Sequence, residues 1–378
     1  MSSKRILIFS LSYYPLGGGA EMAIKEITER IPNEEIQFDL VTMRFDNKYP
    51  KRERLGSVDV YRIGGGLGYF SKILFVPQAV LFALNKKYDC YWAMMTNMLF
   101  PISILRLLGK KVPYILNLQD GDPFEHVFER SRIRIFKPLL TYGFKHASKV
   151  QVLSYFLADW AKKIGYRGEV EIIPNGVNVG HFQKNITNIE REDIRKRLGI
   201  NSEDVVLTSS SRLVKKNALD DVIRSLRFLP KNIKFINFGH GPDRNLLQRL
   251  SEDIGVKDRV SLLGYPDIEL PKFLRSCDIF IRPSLSEGQG ISFLEGMASD
   301  LPVIATPVGG IPDFLKDGET GLFCEVRNPE SIAKQVTKLI ESSELRQKLI
   351  KNGQKLVREK YDWDLIANEM KTRVFDKV

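Results

Sequence analysis

This 378-residue sequence predicts an α/β protein made of two doubly wound, Rossmann-like parallel-sheet domains facing a central cleft. Three observations lead there. The chain is too long for one hydrophobic core and suits two domains of ordinary size. Short runs rich in β-branched and aromatic residues alternate with longer stretches of helical periodicity, the mark of βα units. A polar stretch, NITNIEREDIRKRLGINSED, separates two series of such units.

In the first series the pattern predicts strands over 5–10, 37–43, 59–63, 90–94, 113–118 and 149–153. In the second it predicts 205–210, 234–238, 260–263, 278–282 and 302–306. Domains are expected over 1–178 and 179–360, with a last helix over 361–378, in YDWDLIANEMKTRVF, long enough to reach back toward the first domain. There is no low-complexity segment and no repeat of solenoid period. Ligands of open parallel sheets bind outside the carboxyl ends of the strands, so the loops that follow strands are where chemistry is sought.

Composition narrows the class. With 43% hydrophobic and 27% charged residues the chain has the balance of a globular protein. No apolar run reaches the length of a spanning helix. The opening MSSKRILIFSLSYYPLGGG carries an apolar run, but it is short, β-like and followed by a Gly-rich turn, so it reads as a strand and not as a signal peptide. Cys90, Cys277 and Cys324 are isolated and off metal-ligand spacing, which fits a reducing cytoplasm and core thiols. The net charge of +11 is uneven: residues 1–180 carry 25 Lys and Arg against 17 Asp and Glu, the remainder 32 against 29. A basic first half suits anionic substrates or an anionic bilayer surface. Nucleic acid is disfavoured, since no aromatic-interleaved basic motif is present.

Four loops carry chemistry. In YYPLGGGAEMAIKEI a strand runs through Gly17, Gly18 and Gly19 into a helix, whose free N–H groups and dipole suit a phosphate. The pattern is neither a dinucleotide fingerprint nor a P-loop, and a turn needing positive φ would also account for it. In SSSRLVKKNALDD, Arg212 and Lys216 stand four apart at a strand's exit, where two cations suit a diphosphate; Lys215 reads as surface. In NFGHGPDR, Gly239 and Gly241 suit a tight turn near a nucleotide, and His240 reads as facing solvent.

The fourth loop, SEGQGISFLEGMA, places Glu287 ahead of a helix and Glu295 within it. Eight residues at helical rise separate them by roughly 12 Å along the axis. Carboxylate pairs that flank one glycosidic bond lie about 5 to 9.5 Å apart, so the spacing argues against an acid–base dyad. It suits two acceptors gripping different ends of an extended, hydroxyl-rich ligand. Between them the backbone at Gln289, Gly290 and Ile291 offers N–H groups to a phosphate.

Taken in order, the Gly-rich loop, R-x-x-x-K, G-x-G-P, E-x7-E, LPVIATPVGG and DGETGLF resemble the family-4 retaining glycosyltransferases of the GT-B fold, as does IPNGVNVGHF at the expected domain crossing. The resemblance implies transfer of a sugar from a UDP- or GDP-linked donor to a hydroxyl of a glycan or polyprenyl-linked lipid acceptor, in cell-envelope polysaccharide, lipopolysaccharide or glycolipid synthesis. It implies no metal and no further cofactor. Arg212 and Lys216 would bind the donor diphosphate and Glu295 the ribose. Glu287, with the backbone of Gln289, Gly290 and Ile291, would hold the donor sugar, while Gly18 and Gly19 close over the phosphates. A front-face mechanism, in which the leaving diphosphate helps deprotonate the acceptor, would need no protein nucleophile; positioning and charge stabilisation would be the protein's part.

Four departures from the family pattern stand out. Where a His is usual in the first domain, LNLQDGDP has Gln119; Asp122 matches a later family Asp, and Asp120 stands where Gly is common. Either Gln119 takes over the hydrogen-bonding role of that His, or Asp120 has a polar role of its own; His126 belongs to the next helix. Ala218 occupies a usual Gly position and Gly296 a usual Ala.

KILFVPQAVLFALNKK mixes bulky apolar residues with flanking lysines, and KRER and RSRIRIFK add basic clusters, so a peripheral bilayer contact at the inner face of the cytoplasmic membrane is one expectation. Packing of Leu74, Val80, Leu81 and Leu84 on the sheet is the other, and Pro77 predicts an interrupted helix. Two other functions fit the fold: a sugar-nucleotide epimerase, which E-x7-E and R-x-x-x-K count against, and a non-catalytic nucleotide-sugar-binding subunit, which Gln119 would favour.

Overall fold

The computed structural model describes residues 3–65, 70–130 and 134–378. Ser131, Arg132 and Ile133 of the basic cluster RSRIRIFK therefore lie outside the described residues. The chain divides into two compact units, residues 1–175 with 363–378, and residues 176–362.

The first unit holds eight strands: β1 (Lys4–Phe9), β2 (Ile36–Met43), β3 (Arg52–Leu55), β4 (Val58–Ile63), β5 (Cys90–Met94), β6 (Tyr114–Leu118), β7 (Lys149–Val152) and β8 (Val170–Ile172). Their order is β3-β4-β2-β1-β5-β6-β7-β8, and only the β3–β4 pair is antiparallel. Central strands are buried on both faces, as in β5 (CYWAM) and β6 (YILNL), which is why they read as continuous apolar runs. Helices Phe70–Leu84, Leu99–Leu107 and Lys137–Lys145 cover one face, burying Phe75, Ala79, Leu99, Ile102, Leu140 and Phe144 in one core.

The helix Phe70–Leu84 runs through Pro77 without a break, contrary to the expectation from sequence. Its inner side, Phe75, Ala79, Val80 and Ala83, is anchored in the core on both sides of the proline, which offsets the missing amide donor.

Residues 363–378 are built into the first unit. Phe375 packs edge-on against Trp92 with ring centroids 5.0 Å apart, and Lys4 Nζ donates to Phe375 O at 2.7 Å. Arg373 Nη2 donates to Glu171 at 2.8 Å and Arg30 Nε to Asp364 at 2.6 Å.

The second unit is a six-stranded, wholly parallel sheet of β9 (Val205–Ser210), β10 (Ile233–Phe238), β11 (Val260–Leu263), β12 (Ile279–Arg282), β13 (Val303–Ala305) and β14 (Leu322–Phe323), ordered β11-β10-β9-β12-β13-β14. Val177 N donates to Tyr361 O at 2.7 Å, so the segments at the unit's two ends are paired with each other. All three cysteines are buried free thiols.

Candidate active site

In the second sheet β9 lies between β10 and β12, so strand order reverses there and the loops leaving β9 and β12 diverge. Such a switch point is where open parallel sheets bind ligands. The β9 loop carries Arg212 and Lys216. Asn217 Nδ2 donates to Arg212 O at 2.7 Å, and Leu285 N donates to Lys216 O at 2.7 Å, which ties this loop to the one after β12. Arg212 is exposed, with no ion-pair partner among the described residues, Lys215 is exposed and Lys216 half-buried. Ala218, next in line, is left-handed at φ 50° and ψ 39°, the conformation that explains why glycine suits this place.

The β10 exit passes under the same loop. A Cβ at Gly239 would stand 2.2 Å from Ser211 O, and one at Gly241 2.2 Å from Leu213 O. Leu213 N donates to His240 O at 3.0 Å and Asp243 N to Leu213 O at 3.1 Å. These glycines let two loops touch backbone to backbone beneath Arg212. His240 is exposed.

After β12 the chain turns at Gly290, φ 90°, into the helix Ile291–Ala298, whose first turn has no side-chain cap. A Cβ at Gly290 would meet Arg282 Nη2 and the Phe293 ring at 2.6 Å. Gln289 is buried beside it. Glu295 is 5% exposed, and its Oε2 accepts a long hydrogen bond of 3.5 Å from Ser210 Oγ at the end of β9. Burial pushes its carboxyl up to about 7, with Arg282 and Ser210 opposing the rise.

Glu287 has a different setting. Its Oε2 accepts from Arg282 Nη2 at 2.5 Å, and its main-chain oxygen accepts from Gly310 N at 3.0 Å. Arg282 is buried, donates from Nη1 to Ser292 Oγ at 2.9 Å, and lies over the Phe293 ring at 4.3 Å. The two glutamates thus have separate hydrogen-bond donors, while the Arg282 charge acts on both. Arg282, which the motifs pass over, ties the strand end to this loop, although a lone cation inside the apolar run CDIFIRPS is a visible signal.

In the first unit β1 lies between β2 and β5, so its switch point is bounded by the loops after β1 and β5. Gly17, Gly18 and Gly19 are exposed and precede the helix Gly19–Glu29. Gly18 is extended, φ −147°, so positive φ is not what selects glycine there. The buried Glu21 carboxylate accepts from Ser12 Oγ and lies 3.0 Å from where a Gly18 Cβ would stand.

Across the switch point, Met95 has φ 70° and ψ 162°, a region almost reserved for glycine. It leads into Thr96, whose Oγ1 and backbone N donate to Asp120 Oδ2 at 2.9 and 3.4 Å. Asp120 is buried, and burial pushes its carboxyl up despite those donors. Met95 and Thr96 carry no sequence signal, because a strained backbone angle leaves no mark on residue type.

Gln119, at the end of β6, accepts at Oε1 from Asn175 Nδ2 at 2.9 Å, while its Nε2 is buried with no partner. Asp122 is half-buried in the same loop. His126, on the helix Phe124–Phe128, is exposed and bonded through Nδ1 to Arg130 at 2.7 Å. The structure therefore gathers Gly18, Gly19, Gln119, Asp120 and Asp122 at the carboxyl end of the first sheet. Arg212, Lys216, Gly239, Gly241, Glu287, Gln289, Gly290, Ile291 and Glu295 gather at that of the second.

Two parallel-sheet units, each with a switch point at the carboxyl ends of its strands, have the GT-B fold. The profile described as Glycosyl transferases group 1 matches residues 190–356, and that described as Glycosyltransferase Family 4 matches residues 17–181. The chain belongs to this group 1, family 4 class of glycosyltransferases. It is 26% identical to an uncharacterised glycosyltransferase of Methanocaldococcus jannaschii, over 97% of this chain and 96% of that one. It is 28% identical to the GDP-mannose-dependent alpha-(1-6)-phosphatidylinositol monomannoside mannosyltransferase of Mycobacterium tuberculosis, over 58% of this chain and 59% of that one. The crystal structure of HepE from Anabaena, in complex with UDP and glucose, superposes with TM-score 0.81 at 20% identity, over 98% of this chain and 99% of that one.

Proposed function

We propose that this glycosyltransferase moves a sugar, with retention of anomeric configuration, from a UDP- or GDP-sugar to a hydroxyl of a glycan or lipid-linked acceptor in cell-envelope synthesis. The observation that carries the reading is the second unit's switch point. There the Arg212–Lys216 loop is bonded to the β12 loop through Leu285 and Lys216, above the buried Glu295.

Arg212 and Lys216 take the diphosphate, bidentate from the guanidinium and as a point charge from the ammonium. They offset the negative charge that grows on the leaving group as the glycosidic bond breaks. Glu295, as carboxylate, accepts from the ribose hydroxyls. The amides of Gln289, Gly290 and Ile291 and the Arg282-held Glu287 orient the sugar, while Gly239 and Gly241 let the nucleotide loop lie close. Gly18 and Gly19 leave the backbone ahead of the helix Gly19–Glu29 open to a phosphate oxygen. In the first unit Gln119, Asp120 and Asp122 line the acceptor end. No side chain is asked to act as nucleophile, and the diphosphate oxygen takes the acceptor proton as the new bond forms on the same face.

A bilayer contact belongs to this reading. Leu74, Pro77 and Leu81 are exposed on the helix Phe70–Leu84 at three- and four-residue spacing, while Val80 and Ala83 face the core. Leu107, Leu108, Ile135 and Phe136 are exposed near Lys110, Lys111, Arg134 and Lys137 in the same unit. Apolar and cationic groups together suit an anionic lipid surface. The relative from Mycobacterium tuberculosis is named for a phosphatidylinositol acceptor.

The test is incubation with a panel of UDP- and GDP-sugars and polyprenyl-diphosphate-linked or diacylglycerol-based acceptors, with product linkage read by NMR. An α-linked product from an α-linked donor supports the reading, and an inverted linkage removes it.

A further inference from the structure

We infer that Asn175 is a positioning residue that fixes the amide of Gln119 so that it presents only a hydrogen-bond donor to the substrate. This rests on the proposed sugar-nucleotide reading. An amide has two faces of opposite character, an acceptor oxygen and a donor nitrogen, and its neighbours decide which one a ligand meets. Here Asn175 Nδ2 donates to Gln119 Oε1 at 2.9 Å, so the oxygen is committed. Gln119 Nε2 is buried and has no partner. A buried donor left empty is costly, and it is satisfied once an acceptor oxygen is brought to it.

Asn175 is itself held. It is 4% exposed, at the end of the first unit's longer segment. The neighbouring Ile173 is fixed through its N–H to Val152 O at 3.0 Å and is buried. Beside it, Gln151 Nε2 donates to Val152 O at 3.2 Å, and Asn117 pairs with Gln151. Two polar pairs, Asn117–Gln151 and Gln119–Asn175, thus lie at the carboxyl ends of β6 and β7, and Gln119 has a donor to spare. The ligand group it takes is an oxygen acceptor, a hydroxyl or phosphate oxygen of the substrate. Gln119 contacts substrate in this account, and Asn175 acts through it.

The donor logic orders four variants. Asn175→Asp turns the partner into an acceptor, so the Gln119 amide rotates to give it Nε2–H and presents its oxygen instead. Gln119→Glu presents a carboxylate oxygen directly. Gln119→His accepts from Asn175 at one ring nitrogen and keeps an N–H at the other, and Gln119→His with Asn175→Asp reverses that tautomer. Expected kcat falls are about 100- to 1,000-fold for Asn175→Asp and for Gln119→Glu, in the range of one oriented donor. The donor KM should move less than threefold and the melting temperature less than two degrees, while Gln119→His stays within tenfold of wild type.

A second readout needs no turnover. The chain has four histidines, so the ring resonance added by Gln119→His can be picked out by NMR against them and titrated. The pKa of that introduced imidazole should rise by about one unit or more when Asn175→Asp is combined with it, as a carboxylate at hydrogen-bond distance stabilises imidazolium. The inference is overturned if Asn175→Asp keeps kcat within threefold of wild type, or if the introduced imidazole's pKa moves by less than about 0.3 between the single and the double variant. Should wild type transfer no sugar from any donor, the proposed function fails, and the imidazole titration still decides the pairing.

Discussion

Arg282 and Glu287 form a buried ion pair, Nη2 to Oε2 at 2.5 Å, at the mouth of the β12 loop. The guanidinium also donates to Ser292 and lies over Phe293, so one side chain joins the strand end, the loop and the first turn of the helix Ile291–Ala298. Removing one member of such a pair leaves an uncompensated buried charge and costs about 3–5 kcal/mol. Glu287→Leu should therefore destabilise the second unit strongly, and Arg282→Met should do so less, since the half-buried Glu287 can reach water. The double variant should recover part of the loss. Urea titration of the four proteins measures the coupling; additive losses would show that the pair does not act as a unit.

Glu295 gives a pH dependence. Its carboxyl is pushed from 4.5 up to about 7 by burial, so the folded state holds a proton that the unfolded state has released between those values. Stability attributable to this group is therefore full below about pH 4.5, falls as pH rises to 7, and stays low above. Glu295→Gln should stabilise the fold above pH 7 by on the order of 3 kcal/mol, read as a higher melting temperature, and change stability little near pH 4.5. Nucleotide binding should run the other way. Wild-type affinity weakens as pH drops below 7 and the ribose acceptor is lost, whereas Glu295→Gln binds weakly at every pH. Calorimetry at pH 6 and 8 tests both; equal wild-type affinity at the two would remove the ribose assignment.

Backbone demands in the β9 and β10 loops predict opposite outcomes for two small substitutions. Gly241→Ala places a Cβ 2.2 Å from Leu213 O, a contact no rotamer change relieves, so the two loops must separate. Donor affinity should fall at least tenfold. Ala218→Gly removes a left-handed Cβ that costs about 1–2 kcal/mol, partly offset by the greater freedom of glycine in the unfolded chain. It should be neutral or stabilising by about 0.5 kcal/mol and keep full activity. Parallel thermal melts and turnover assays separate the two cases.

These loops also show what the sequence makes legible. Buried parallel strands such as 90–94 announce themselves, because a strand covered on both faces reads as a near-continuous apolar run. β3, β8 and β14 do not. RERL is a charged edge strand, and the other two are three and two residues long, too short for a period to register. Arg212, Lys216 and Glu295 are legible because their types match the proposed task at the right spacing. Thr96 is not, and Arg282 shows only as a lone cation in an apolar run. Each acts on a partner that no local motif names, and only the fold brings Thr96 to Asp120 across 24 positions.

The exposed stripe of Leu74, Pro77 and Leu81 gives a prediction for membrane binding. Residues that pack inward tolerate no polar group, whereas outward ones should accept one without loss of fold. Leu74→Gln with Leu81→Gln should leave the melting temperature within about two degrees, since neither side chain contributes to the core. Burying a leucine in lipid is worth about 1.5–3 kcal/mol, so even partial insertion of two makes the double variant at least tenfold weaker on anionic vesicles. Sedimentation with phosphatidylglycerol vesicles at low and high salt measures this. Wild-type binding should weaken with salt through its cationic component. Equal pelleting of wild type and double variant would place any bilayer contact elsewhere on the molecule.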